Sequence, residues 1–139
     1  MIQYHFPTVL FFGEDSLNDL NRVIQKKGLK KLLMVTDPGL VKIGLADSVK
    51  STLTSARLNI FYDVHPNPLE EDVTLGVKAY QLGNYDGIVA LGGGSAMDVA
   101  KTIRFMVVHE PPLSQYDDAI GGDEKINNPM PPLFAIPTT

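Results

Sequence analysis

The sequence predicts an α/β fold in which a parallel sheet carries helices on both faces. Short apolar runs bounded by Gly, Asp or Pro are typical of strands buried on both sides. Segments with a helical apolar period separate these runs, and strands that alternate with helices form parallel sheets with right-handed crossovers. The 139 residues, 44% apolar and 20% charged, are enough for one domain with its own core, so we expect a single domain over residues 1–139.

Four apolar runs predict the strands of this sheet. They are residues 32–36, 59–62, 87–91 and 133–136. The first dozen residues also contain closely spaced apolar side chains, and we expect them to form an N-terminal edge hairpin. Those side chains are Tyr4, Phe6, Val9, Phe11 and Phe12.

Four segments with apolar residues at helical spacing predict the helices. We expect Ser16 to cap the first helix and Gly28 to follow its end. Residues 70–72 are acidic and lie in the first turn of the third helix, where the helix dipole favours them, so we interpret them as solvated charges. Residues 110–132, rich in Pro, Asp, Gly and Asn, predict a long irregular connection. The apolar stripes are Leu17, Leu20 and Ile24; Leu45, Val49 and Leu53; Leu69, Val73, Val77 and Tyr80; and Ala96, Ala100, Ile103 and Val107.

Composition argues against several functional classes. The chain has no cysteine, which excludes a disulfide framework, a thiolate zinc site and a cysteine nucleophile. The net charge is -4 and no basic run occurs, so nucleic-acid binding is not expected. The apolar runs are too short to span a membrane, and no basic segment precedes the first one as in a signal peptide. We therefore expect a cytoplasmic protein.

The strongest functional signal is the triple glycine Gly92-Gly93-Gly94, followed by Ser95. A buried strand runs into these glycines and a helix begins at once. The unpaired N–H groups and positive dipole end of such a helix suit a phosphate, and Ser95 adds a hydroxyl donor. A sharp turn with a capping box formed by Ser95 and Asp98 explains the same residues without a ligand. The spacing is neither GxGxxG nor the P-loop pattern.

Two other strand ends carry polar residues. Asp37 directly follows the first strand, where a carboxylate can accept from ribose hydroxyls and repel a 2′-phosphate, which favours NAD over NADP. Asp37 is equally well explained as the N-cap of a helix opened by Pro38. The chain ends in Thr138 and Thr139, which follow the last strand; taken alone, these two residues are a weak signal.

The sequence assigns no catalytic residue and no metal ligand. The histidines are His5, His65 and His109, and their spacing fits no metal-binding pattern. We interpret each as an ordinary surface or loop histidine. Asp117 and Asp118 are interpreted as solvated loop charges. No complete acid–base pair is evident.

The segment Gly92 to Lys101 resembles the iron-containing, group III alcohol dehydrogenases. Their signature GGGSxxDxAK fits Gly92-Gly93-Gly94-Ser95-Ala96-Met97-Asp98-Val99-Ala100-Lys101 at every fixed position. Three further segments agree in order and spacing, a fourth, Phe12-Gly13, matches the family's usual start, and the resemblance covers essentially the whole chain. These segments are Phe12-Gly13, Val35-Thr36-Asp37, Pro66-Asn67-Pro68 and Ala135-Ile136-Pro137-Thr138-Thr139.

The resemblance implies a Rossmann-like N-terminal domain, as in dehydroquinate synthase, that binds NAD, with NADP as the other possibility. It also implies a position for each candidate residue. Asp37 is expected at the adenosine ribose, Asn67 near the cofactor cleft, and Gly92, Gly93, Gly94 and Ser95 at the pyrophosphate. Asp98 is expected near the bound dinucleotide, towards the nicotinamide, and Thr138 and Thr139 at its phosphates or ribose.

In the family, a C-terminal helical domain supplies an aspartate and three histidines that hold iron or zinc, which polarises the alcohol oxygen. None of these ligands can be assigned in this chain. We therefore expect the nucleotide-binding domain of an enzyme that interconverts a small alcohol and an aldehyde or ketone, inactive by itself and prone to form homo-oligomers through its exposed apolar face. Two alternatives remain: a non-catalytic nucleotide-binding module, and part of a relative similar to glycerol dehydrogenase.

Overall fold

The computed structural model describes residues 15–126 and 128–138. Four parallel strands form one sheet in the order β2-β1-β3-β4. The predicted edge hairpin and Thr139 lie outside the described residues. The strands are β1 (Lys31–Val35), β2 (Arg57–Phe61), β3 (Gly87–Gly92) and β4 (Leu133–Pro137).

Within the described residues, five α-helices connect or precede the strands. Asp15, not Ser16, occupies the N-cap position of the first helix and makes no side-chain cap bond, so the prediction for Ser16 was wrong by one residue. No helix in the described part of the chain is long and apolar enough to cross a membrane. The helices are α1 (Ser16–Lys26), α2 (Pro38–Lys42), α3 (Leu45–Thr52), α4 (Glu70–Gly83) and α5 (Gly94–Met106), and three short 3₁₀ helices occupy Leu113–Tyr116, Asp118–Ile120 and Gly122–Lys125.

Alternate residues of the central strands face two separate apolar cores. Leu32 and Met34 of β1 pack with α1 and α3 on one face. Leu33 and Val35 pack with α4 and α5 on the other. β3 is buried along its whole length. This two-sided burial explains why the strands are continuous apolar runs, and it confirms the predicted sheet with helices on both faces.

The strand order creates a switch point between β1 and β3. The chain passes from β1 to β2 on one side, and then returns to place β3 on the other side of β1. The connections that leave the carboxyl ends of β1 and β3 therefore diverge and open a crevice between them. Ligands of doubly wound sheets bind in such crevices.

Candidate functional site

A cleft of about 990 Å³ lies at the carboxyl edge of the sheet, at the switch point. Three loops form it, those that follow β1, β2 and β3, together with the first turns of α4 and α5. The lining residues are Asp37, Pro38 and Gly39; Tyr62, Asp63, Val64, His65 and Pro66; Glu71, Asp72 and Leu75; and Gly93, Gly94, Ser95 and Ala96.

The glycine turn brings the N-terminus of α5 to this cleft. Gly92 ends β3 with a φ of 143°, and a Cβ there would lie 3.0 Å from the Cβ of Ala96, so both the backbone and the space favour glycine. Gly93 is the N-cap and offers no side chain to the free N–H groups of the helix. No atom lies within 4 Å of a Cβ built on Gly94. An anion can therefore approach these N–H groups from the cleft.

Ser95 joins the glycine turn to the loop after β2. Its Oγ donates a hydrogen bond to the carbonyl oxygen of Pro66 at 2.6 Å. A hydroxyl has one proton to donate, so in this structure Ser95 positions the loop. The alternative explanation, a capping box of Ser95 and Asp98, is wrong, because Gly93 is the N-cap and α5 has no side-chain cap bond.

Asp37 lies at the same edge of the sheet and caps α2 with one of its two carboxylate oxygens. It is the N-cap residue, and its Oδ1 accepts a hydrogen bond from the backbone N–H of Leu40 at 2.9 Å. Its Oδ2 faces the glycine turn, 3.3 Å from the position of a Cβ on Gly92. The sheet register explains this proximity, since Val35 is opposite Ala90 and two further residues bring Asp37 level with Gly92. The cap leaves Oδ2 available to a ligand.

A histidine and a buried carboxylate, which sequence reasoning did not single out, also line the cleft. The Nδ1 atom of His65 lies 2.6 Å from Oδ1 of Asp72. Asp72 is 1% exposed, so the interpretation of this residue as a solvated charge was wrong, whereas Glu70 and Glu71 are exposed as expected. The signal was present in the spacing: Asp72, Gly76 and Tyr80 are four residues apart and share the buried face of α4.

The second oxygen of Asp72 holds the backbone of the same loop. Oδ2 accepts hydrogen bonds from the N–H groups of His65 at 3.1 Å and Leu69 at 3.0 Å. Burial by itself raises the pKa of Asp72, but the bonds from Leu69 and His65 and the proximity of the imidazole lower it further than burial raises it. The net pKa lies below the usual value, so Asp72 stays ionised.

Three other candidate residues, Asn67, Asp98 and Thr138, are not among the residues that line the cleft. Asn67 is exposed and follows Pro66 in the loop after β2. Asp98 is exposed on the second turn of α5. Thr138 is also exposed, and its N–H donates to the carbonyl oxygen of Gly92 at 3.1 Å, which places it beside the glycine turn. The structure thus brings Asp37, Gly93, Gly94 and Ser95 together in the cleft.

The family model described as iron-containing alcohol dehydrogenase matches residues 7–139. The chain belongs to this family. The resemblance carried by the glycine signature and the strand-end segments is therefore confirmed.

Members of the iron-containing alcohol dehydrogenase family match in both sequence and structure. A choline dehydrogenase of Bacillus subtilis (strain 168) is 38% identical over 138 residues, 98% of this chain and 34% of that protein. The crystal structure of a 1,3-propanediol oxidoreductase superposes with a TM-score of 0.86 and 35% identity, over 100% of this chain and 36% of that one. A sulfoacetaldehyde reductase from Bifidobacterium kashiwanohense, solved in complex with NAD+, gives 0.82 and 26%, over 100% and 36%. The chain thus spans about a third of these relatives.

An iron ion in a protein is held by several ligand side chains. Residues 15–126 and 128–138 contain no group of three or more His, Cys, Asp or Glu side chains that could hold a metal ion.

Proposed function

We propose that this chain is the dinucleotide-binding part of an NAD-dependent, metal-dependent dehydrogenase that interconverts small alcohols and their aldehydes or ketones. The open N-terminus of α5 at the switch point carries the proposal. There the glycine turn presents helix N–H groups to the cleft with no side chain in front of them. The NAD+ bound in the sulfoacetaldehyde reductase structure supports it.

The cleft fits a dinucleotide in its dimensions and in its donors and acceptors. Ligand sites for molecules of this size occupy about 300–1,000 Å³, and the cleft measures about 990 Å³. We place the pyrophosphate at the N–H groups of Gly94, Ser95 and Ala96, because the helix dipole and the unpaired donors both favour an anion. We place the adenosine ribose at Asp37, whose Oδ2 can accept from its hydroxyls. Bound NAD supplies the acceptor for the hydride.

The catalytic metal and much of the substrate pocket are proposed to lie in the part of the relatives that this chain does not span. A chimera in which this chain replaces the matching third of the 1,3-propanediol oxidoreductase tests the complete function. We expect the chimera to reduce a small aldehyde with NADH. A folded chimera that contains metal, binds NADH and reduces no aldehyde would contradict the dehydrogenase assignment.

The Gly94→Ala variant tests directly whether the pyrophosphate binds at the glycine turn. A methyl group on Gly94 meets no atom within 4 Å, so the fold has room for it, and alanine is the better helix former. The methyl group projects into the space through which an anion would approach. We expect the affinity for NADH, measured by fluorescence titration, to fall by about tenfold, equivalent to about 1.4 kcal/mol, with thermal stability retained.

Ser51→Ala is the matched control. Ser51 is exposed on α3, and α3 packs on the opposite face of the sheet from α5. It should bind NADH as the parent chain does. Equal affinity of Gly94→Ala and the parent would show that the pyrophosphate does not contact this turn.

The Asp37→Ser variant tests the preference for NAD. Serine can still cap α2 but carries no charge, so the fold should survive. Removing the repulsion of a 2′-phosphate should improve NADPH binding relative to NADH by about tenfold. If the ratio of the two dissociation constants does not change, Asp37 does not contact the adenosine ribose.

A further inference from the structure

Among the described residues that line the cleft, several side chains are acidic and one, His65, can become positively charged. A pyrophosphate carries negative charge, yet no lysine or arginine lines the cleft in the described part of the chain. The loop after β3 contributes no titratable side chain. The titratable residues that line the cleft are Asp37 after β1, Tyr62, Asp63 and His65 after β2, and Glu71 and Asp72 in α4. His65 is therefore the lining side chain that can offset an anion.

Two contacts position His65 beside the N-terminus of α5. The hydroxyl of Ser95, the second residue of that helix, donates a hydrogen bond at 2.6 Å to the carbonyl oxygen of Pro66, which directly follows His65. On the other side, Asp72 accepts from the backbone N–H of His65. The imidazole remains 59% exposed and lines the cleft. The ring is therefore open to the same cleft as the glycine turn.

Asp72 also decides which ring nitrogen carries a proton. An ionised carboxylate only accepts hydrogen bonds, so Nδ1 of His65, 2.6 Å from Oδ1, must carry the hydrogen between them. In the neutral ring, Nε2 then has no hydrogen and can only accept. A phosphate oxygen also only accepts. Nε2 can bind a phosphate only after it takes a proton from solvent, which makes the ring an imidazolium ion.

Resting on the proposed dinucleotide site, we propose that His65, oriented by Asp72, donates from Nε2 to the pyrophosphate, so that NAD(H) binding is coupled to protonation of this ring. Asp72 is the positioning residue, and His65 is the binding residue. Affinity therefore falls as the pH rises. The dissociation constant rises with pH over the range in which the free ring is neutral and the bound ring is protonated, by about tenfold in total, and is constant above that range.

Calorimetric titration of the 139-residue chain with NADH, in two buffers of different ionisation enthalpy, counts the protons taken up. Measurements over about pH 6 to 9 cover the range in which histidines titrate. We expect uptake of about half a proton at its maximum near neutral pH, falling towards zero at the alkaline end. His65→Asn keeps a side-chain N–H where Nδ1 donates to Asp72 and removes Nε2. It should lower the affinity at the acid end by about tenfold and abolish proton uptake.

Asp72→Asn distinguishes the proposed control of the His65 tautomer from a purely structural role of Asp72. The two backbone N–H donors require an oxygen at the Oδ2 position, so the amide NH₂ of Asn must face Nδ1 of His65. Nδ1 then accepts, and the neutral ring carries its hydrogen on Nε2. This variant should bind NADH without proton uptake, with an affinity that does not vary with pH.

His109→Asn is the histidine control, because His109 does not line the cleft and its Nδ1 contacts the carbonyl oxygen of Phe105. It should keep the proton uptake of the parent chain. NADH binding by the parent without proton uptake, or uptake that persists in His65→Asn, overturns the role of His65 and leaves the nucleotide site standing. Absence of NADH binding by the parent at every pH instead overturns the proposed function.

Discussion

Replacement of Asp72 by Ala removes the acceptor that organises the loop after β2. Three hydrogen bonds are lost: from the backbone N–H groups of His65 and Leu69, and from the His65 imidazole. Asp72 is 1% exposed, and its backbone donors are partly buried, so water replaces the lost acceptor incompletely. The variant should therefore be less stable than the parent.

The expected loss follows from the kind of bond and its exposure. A hydrogen bond to a charged group contributes about 1.5–3 kcal/mol. Two such backbone bonds give about 3–6 kcal/mol with this range, and the cost of burying the carboxylate offsets part of this sum. The imidazole contact adds little, because the ring is 59% exposed and solvent screens it. The net loss should be about 2 kcal/mol, or roughly 8 °C in Tm for a domain of this size.

Asp72→Asn separates the hydrogen bonds from the charge. The amide keeps one oxygen for both backbone donors, so the loss should be about 1 kcal/mol or less. Urea and thermal unfolding followed by circular dichroism at neutral pH measure both variants. If Asp72→Ala unfolds at the same urea concentration as the parent, or if Asn is as destabilising as Ala, the energetic role assigned to this carboxylate is wrong.

The same variants predict a pH dependence with a definite sign. The pKa of Asp72 in the folded chain is lowered, so its charge contributes stability above the unfolded-state value of about 3.9. This contribution is lost as the pH falls through the lower folded-state pKa. The stability difference between the parent and Asp72→Asn should therefore be constant near neutral pH and shrink in acid. A difference that grows in acid contradicts this reasoning.

Two further changes test other contacts of the site. Ser95→Ala removes the 2.6 Å bond to Pro66 and should weaken NADH binding several-fold with a stability loss of about 1 kcal/mol; an unchanged dissociation constant would show that the loop keeps its position without this bond. Gly76→Ala should destabilise the chain by about 1–2 kcal/mol, because the new Cβ overlaps Cδ1 of buried Ile103 and lies 2.8 Å from its Cγ1. Ile103→Val removes Cδ1, so unfolding of the double variant should show a loss smaller than the sum of the two single losses.

Local signals were sufficient for the layered fold. The apolar runs at residues 32–36 and 87–91 became β1 and β3, because a strand covered on both faces must be apolar at every position. The short helix α2 has no buried residue and hence no stripe to detect, but its Pro38 and the cap at Asp37 were visible. The start of α1 differed by one residue, since Asp15 and Ser16 are both acceptable at an N-cap.

The part of the candidate site that consists of backbone N–H groups was predictable from the sequence. The run Gly92 to Gly94 indicates a tight turn, because glycine adopts backbone conformations that other residues rarely adopt. Side chains were harder to assign. Ser95 was expected to face a phosphate, yet its hydroxyl donates to Pro66, 29 residues earlier in the chain. His65 was interpreted as an ordinary surface or loop histidine and Asp72 as a solvated charge, and the sequence did not indicate that they form a pair in the cleft.

The sequence by itself determined the order of strands and helices, the glycine turn and the family, because these depend on periodicity, backbone freedom and a contiguous signature. The tertiary structure decided that Asp37 lies level with Gly92, that Ser95 holds Pro66, and that Asp72 orients His65. Those contacts join segments brought together by sheet register and helix packing. A hydrogen bond depends on distances of a few tenths of an ångström, which a one-dimensional pattern does not contain.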